Sequence, residues 1–179
     1  MPLIRINCPE NSFTAEQKAK LAPLLIDALM RQEVDPVTEA GKEGTLCIFN
    51  EIATDNCFPG GQGPDLHTTR PFWVVELFAD AGFFNQKRRD AAQLGVGKAF
   101  VTVLGDDGSR LDWGGQHVAP AYLKNLYCLM IEIPEGNWGA AGHTVSAMEI
   151  AAIAGTDKNA GRFKELQENT AKLKAARVS

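Results

Sequence analysis

Cys47-Ile48-Phe49-Asn50-Glu51-Ile52-Ala53-Thr54-Asp55-Asn56-Cys57-Phe58-Pro59-Gly60-Gly61 and Cys128-Leu129-Met130-Ile131-Glu132-Ile133-Pro134-Glu135-Gly136-Asn137-Trp138-Gly139-Ala140-Ala141-Gly142 read as one passage written twice. At a constant offset of 81, Cys47 meets Cys128, Glu51 meets Glu132, Ile52 meets Ile133, Asn56 meets Asn137 and Gly61 meets Gly142, five identities in the sixteen positions 47 to 62. Each copy is a β-branched apolar run that ends in a glycine-rich turn, which is how a strand leaving a sheet is written.

Working outward, Leu3 to Cys8 reads as a strand punctuated by Pro9-Glu10-Asn11-Ser12. Thr14-x-x-Gln17 is a capping box, and Leu21, Leu24, Leu25, Ala28 and Leu29 recur at helical spacing, so a helix is expected to about Gln32. Pro23 interrupts it and predicts a kink or a helix held by tertiary packing. Thr45 to Ile52 is the second strand, and residues 53 to 71, rich in glycine and proline, are loop. Phe72 to Ala79 is a third strand, Asn85 to Leu104 a second helix weakened by Gly95 and Gly97, Gly105 to Ala121 a long loop or insertion, and Leu126 to Ile133 the fourth strand. Thr144 to Ala154 and Asn159 to Ala176 complete the chain as helices, the second amphipathic through Phe163, Leu166, Thr170 and Leu173 and expected to dock on a neighbouring element.

The fold class expected is α+β, a single domain over 1–179: duplicated βαβ units (2–61 and 72–142) forming a four-stranded sheet with two helices on one face, plus a C-terminal helical extension, 144–179. Two βαβ units leave the other sheet face uncovered, and packing it against identical copies predicts a closed oligomer.

At 179 residues, 45% hydrophobic and 22% charged, the chain has the composition of a globular domain. No run approaches the length of a membrane span, the start has no long apolar segment, and a cytoplasmic location is expected. A net charge of −4 gives no field to hold nucleic acid or an anionic membrane, so the expected partner is a small molecule. The four cysteines have no metal or redox spacing and are expected as buried free thiols. Gly95-Val96-Gly97-Lys98 lacks phosphate-loop spacing and reads as helix packing, while His67, His117 and His143 form no paired metal motif.

The opening Met1-Pro2-Leu3-Ile4-Arg5-Ile6, the Thr14 helix and the passage Glu132 to Gly142 together resemble the tautomerase superfamily, which includes 4-oxalocrotonate tautomerase and macrophage migration inhibitory factor. The resemblance covers roughly the first 145 residues and leaves the C-terminal helix outside. It implies a fused two-unit subunit, a homotrimer with sites between subunits, and keto–enol tautomerisation of a small 2-oxo acid or its enol, a reaction that needs no cofactor and no metal.

In that reaction Pro2 is the general base. An α-amino group titrates near about 7.7–8.0, and burial or a nearby cation lowers it further, leaving a base poised at neutral pH. Only loss of Met1 creates that amine; otherwise the Pro2 nitrogen is an amide, and the residue is an edge-strand starter. By the resemblance, Arg31 binds the substrate carboxylate, Tyr127 polarises the enol oxygen as the second catalytic residue, and Trp138 walls the site. Each has a structural reading too: Arg31 as a cation at a helix C-terminus, Tyr127 as a strand tyrosine, Trp138 as cover for a subunit contact.

Arg5 is out of phase with Pro2 along its strand and ranks lower. The family's arginines have no counterpart at Glu10-Asn11-Ser12, Leu46 or Tyr127, which argues against a dicarboxylate, and their absence from Phe72 to Asp80 disfavours dehalogenation. Asn56 and Asn137 read as turn formers, and the duplicated Glu51 and Glu132 as architecture. Two alternatives stand beside the tautomerase: a Pro2-dependent hydratase or decarboxylase working through an imine, and a non-catalytic trimeric binding protein.

Overall fold

A computed structural model describes residues 2–61, 72–106, 112–113, 116–117 and 123–178. Four strands, β1 (Leu3–Pro9), β2 (Leu46–Ile52), β3 (Trp73–Asp80) and β4 (Leu126–Ile133), form one sheet in the order β2-β1-β3-β4. The central pair β1 and β3 is antiparallel, while each outer strand runs parallel to its neighbour. That is the expected pair of βαβ units, joined through their first strands.

The first crossover is α1 (Ala15–Glu33) followed by the short α2 (Glu39–Glu43), which the sequence reading did not separate from its loop. Thr14 caps α1 through the expected reciprocal bonds with Gln17. Pro23 leaves the helix continuous over all 19 residues. Its lost hydrogen bond is offset by burial of Leu21, Leu25 and Leu29 against the sheet and the second crossover helix, α3 (Gln86–Leu104). Gly95 of α3 makes the helices' approach possible, because a Cβ there would stand 2.7 Å from the Cβ of Ala28. Gly95 therefore belongs to the packing of α3.

Strand alternation divides the sheet. Ile4, Ile6 and Cys8, Trp73, Val75, Leu77 and Ala79, and Leu126 face the helices and are buried. The opposite face has no helix among the described residues and carries Leu46, Ile48, Tyr127 and Leu129, exposed by 46–61%. Arg5 is on this face, bonded to Glu76 at 3.2 Å and lying over Phe78.

The duplication goes deeper than the strand-to-turn passage. The N-caps Thr14 and Asn85 correspond at an offset of 71, as do Ile4, Ile6 and Cys8 with Val75, Leu77 and Ala79. So do the inward stripes Leu21-Leu25-Leu29 and Ala92-Val96-Phe100. Arg5 and Glu76, paired across the two central strands, are themselves 71 apart, which puts the pseudo-twofold axis through their bridge. The duplicated glutamates are tied in the same way: Glu51 to Lys18 of α1 and Glu132 to Arg89 of α3, each cation four residues beyond its helix cap. Architecture accounts for both.

Several boundaries differ from expectation. The stretch read as loop over 105–121 contains a small ribbon pairing Asp112–Trp113 with Gln116–His117. The last two helices are α4 (Ala147–Ile153) and α5 (Gly161–Val178). They dock on the turn Ala81–Phe83 that follows β3, capping the sheet at the end where β1 begins. The cysteines are free thiols: burial pushes Cys8 up to about 11, and Cys47 and Cys128 up to about 12, too high for a reactive thiolate. No helix among the described residues is long and apolar enough to cross a membrane.

Candidate active site

The sheet has two ends related by the pseudo-twofold, and they are built from different residues. At one end β1 starts, β3 and β4 finish, and α1 ends. Pro2 is buried there, in phase with Ile4 on the helix side of the sheet, its carbonyl accepting from Leu46 N at 3.2 Å. At the opposite end the position matching Pro2 is Trp73. It packs among Phe13 and Phe100 with ring centroids 6.3 and 5.6 Å away, while Phe49 meets Phe13 at 5.7 Å. One end is filled with aromatic core; the other carries the proline.

Arg31 stands in the last turn of α1, at the Pro2 end, largely exposed and bonded through Nε to Asp27 at 2.6 Å, which holds its pKa up. It borders a cavity of about 520 Å³ that is also lined by Val34, Asp35, Pro36, Lys42 and Arg88. Trp138 lies beyond the end of β4, also at the Pro2 end, half-buried against the core. Its carbonyl accepts from Val145 N at 3.0 Å, and a ribbon pairing Gly139–Ala140 with His143–Thr144 follows it. A groove of about 530 Å³ runs along residues 136–144.

Tyr127 does not join them. The register places it beside Val74, and Val74 beside Asn7, five residues along β1 from Pro2. That is about 17 Å along the strand, with a further two strands of roughly 4.8 Å each across the sheet. The side chain is 55% exposed on the uncovered face. Within one protomer Tyr127 belongs to the end occupied by Trp73, so the expected foursome of Pro2, Arg31, Tyr127 and Trp138 is three residues at one end and one at the other.

The Pro2 end holds a set of buried charges that the sequence reading missed. Glu33, the last residue of α1, is 2% exposed, as is Asp80 at the end of β3, and Arg162 of α5 is 5% exposed. Arg162 fixes the junction: Nε donates to the Glu33 carbonyl at 2.8 Å, one terminal nitrogen donates to the carbonyls of Gln32 at 3.0 Å and of Phe83, and the other meets Glu165 at 3.1 Å. Arg88 adds a bond to the Gln32 carbonyl at 3.3 Å and a bidentate pair with Glu165. Burial pushes the Glu33 carboxyl up to about 7, a rise that the positive charge of Arg162 opposes.

A signal for Glu33 was present in the chain. Leu21, Leu25, Leu29 and Glu33 recur at steps of four, which puts a carboxyl on the buried stripe of α1. Arg162 stands in the same relation to Leu166 and Thr170. Among the described residues no group of three or more histidine, cysteine or acidic side chains is arranged to hold a metal; His67 lies outside them.

No family model and no curated protein matches the chain. Solved structures do. A native fused 4-OT superposes with a TM-score of 0.60 at 17% identity, covering 79% of this chain and 94% of that one. A wild-type fused 4-OT symmetric trimer reaches 0.58 at 21% identity, covering 84% and 98%. The macrophage migration inhibitory factor of Toxoplasma gondii reaches 0.54 at 14% identity, covering 80% and 99%. With its two βαβ units joined through antiparallel first strands, the chain has the fold of the tautomerase superfamily in the fused, two-unit form.

Proposed function

We propose that this protein is a tautomerase-like isomerase acting on a small 2-oxo acid or its enol, with Pro2, exposed by removal of Met1, as the general base. The observation that carries the reading is the burial of Pro2 at one end of a sheet of this fold, while the matching position in the other half is closed by Trp73. A buried secondary amine loses solvation of its charged form, so its pKa falls below the usual α-amino range and the neutral base prevails near pH 7.

In the proposed reaction the amine takes a proton from the substrate carbon or enol oxygen and returns it to the other position, so the proton count is unchanged. Arg31, at the mouth of this end, holds the carboxylate once it exchanges Asp27 for substrate, and Trp138 excludes water. Tyr127 supplies its hydroxyl from a neighbouring copy, since its own protomer keeps it at the far end of the sheet. Several fused 4-OT structures that this chain resembles are described as trimers, and the uncovered apolar face gives this chain the surface for a homotrimer.

The test is Pro2→Ala with phenylenolpyruvate as substrate, preceded by the intact mass of the purified protein. The expected mass lacks the initiator methionine, and the variant is expected to lose orders of magnitude in kcat/KM. An undiminished rate, or a retained Met1 in an active preparation, overturns the reading. Borohydride trapping with a 2-oxo acid separates this mechanism from the imine route, because only the latter leaves a reduced adduct on Pro2.

A further inference from the structure

The two crossover helices end differently. At the offset of 71, Glu33 answers to Leu104 and Val34 to Gly105. α3 closes on Gly105, whose φ of 85° favours glycine and whose N–H returns to the Val101 carbonyl at 2.9 Å. α1 instead leaves through Val34 in extended backbone, φ −129° and ψ 159°, towards Asp35, Pro36 and Val37. The last carbonyls of α1 are taken by guanidinium groups: Arg162 donates to Gln32 and Glu33 at 3.0 and 2.8 Å, and Arg88 to Gln32 at 3.3 Å. Arg162 is buried and belongs to the C-terminal extension, which lies outside the repeat.

What these bonds hold is the cavity beside Arg31. Its walls come from four segments: the last turns of α1 with Arg31, the link Val34 to Val37, α2 with Lys42, and the start of α3 with Arg88. The extension ties all four. Arg162 grips the end of α1 and with it the start of the link. Thr38 closes the link and caps α2 by accepting from Gly41 N at 3.1 Å, while its hydroxyl donates to the Ala154 carbonyl at 2.5 Å. Glu165 accepts a bidentate pair from Arg88 and a bond at 2.8 Å from Asn85, the cap of α3. Arg162 meets the same Glu165 at 3.1 Å, so the ties join one another.

We propose that the C-terminal extension shapes the subsite for the substrate carboxylate, with Arg162 as a positioning residue that acts on Arg31 through the end of α1. Arg31 directly precedes Gln32 and Glu33, whose carbonyls Arg162 holds, so any displacement of that end carries the Arg31 guanidinium with it. The bond from Arg31 to Asp27 is an exposed pair that contributes little, which leaves the backbone beneath to set where the guanidinium stands. A planar fork of donors fixes that backbone as a single ammonium cannot. The inference rests on the reading of Arg31 as the carboxylate-binding cation, and it gives the C-terminal helix a function. A carboxylate that is bound alike in the ground state and the transition state governs KM far more than kcat.

The experiment measures kcat and KM with phenylenolpyruvate in the full-length protein, in Arg162→Lys, in Arg31→Ala and in the double variant. Arg162→Lys is expected to raise KM about tenfold and to leave kcat within about twofold. In the Arg31→Ala background, where KM is already raised, the same change is expected to add almost nothing, because the guanidinium it acts through is gone. A wild-type KM in folded Arg162→Lys overturns the proposal, and so does a rise that persists undiminished without Arg31, which is the pattern of a merely structural role. An unchanged KM in Arg31→Ala overturns the reading of Arg31 and the inference with it, whereas Pro2→Ala tests the base separately. Should Arg162→Lys fail to fold, Thr38→Val, which releases the far end of the link from Ala154, decides. A KM rise that is absent from Thr38→Ser and vanishes without Arg31 supports the proposal, and an unchanged KM overturns it.

Discussion

Replacing Glu33 by glutamine should flatten one segment of the stability profile. The carboxyl is buried and its pKa in the folded protein is pushed up to about 7, against 4.5 for an ordinary glutamate. The folded state therefore holds this proton more tightly than the unfolded chain. The stabilisation it brings is complete below about pH 4.5 and is lost as pH rises through about 7. At roughly 1.4 kcal/mol per pH unit, that gap amounts to about 3 kcal/mol. Glutamine keeps the shape of the protonated acid and cannot ionise, so the variant escapes the loss. Urea unfolding of both proteins at fixed protomer concentration should give nearly equal stabilities at pH 4.5 and a variant about 3 kcal/mol more stable at pH 8. Parallel profiles across that window would refute the claim that Glu33 is held neutral by burial.

Two further outcomes follow from the packing. The exposed parts of Leu46, Ile48, Tyr127 and Leu129 amount to roughly 400 Å² of largely apolar surface, about 10 kcal/mol gross if buried; Leu129→Lys on that face should move the light-scattering mass from the proposed trimer toward monomer, and an unchanged mass would remove the face from the interface. Gly95→Ala should lower stability by about 1 kcal/mol even though alanine favours helix, because its methyl would press on Ala28 at 2.7 Å; a raised melting temperature would show that α1 and α3 can part freely.

The scaffold was legible because it is written twice in short-range chemistry. The capping box at Thr14, the alternation in β1 and β3 and the strand-to-turn passage at 47–62 each specify local geometry without help from the rest of the chain. The offset of 71 that relates the first strands and helices is hidden in the sequence, because the second half carries ten extra residues between its helix and its last strand, shifting the later correspondence to 81. At Pro23 the sequence allows a kink or a helix held by tertiary packing, and the buried Leu21, Leu25 and Leu29 decide for the second. The separation of Tyr127 from Pro2 depends on strand order and direction, which no local pattern encodes: β4 joins the sheet beside β3, and β3 runs against β1. Glu33 and Arg162 are written into their helices at the four-residue step, but the bond that joins them runs from the Arg162 guanidinium to the Glu33 main-chain carbonyl across 129 residues, a contact that no side-chain pattern encodes.

The same logic identifies where duplication has been put to use. A fused pair of equivalent units could keep two equivalent ends, yet here the ends have diverged in opposite directions. At one, Trp73 stands where the other half has Pro2, and Phe13, Phe49 and Phe100 fill the space beneath it. Aromatic packing of this kind stabilises the core. At the other, the chain gives up apolar burial at position 33 for a carboxyl and adds the extension whose Arg162 bonds the main-chain carbonyl of Glu33. A buried charge set is a weak source of stability compared with apolar side chains of the same size, and the Leu104 end shows that the apolar solution was available to this fold. Glu33 and Arg162 therefore answer to no requirement of the repeated scaffold, which the half carrying Leu104 meets without them.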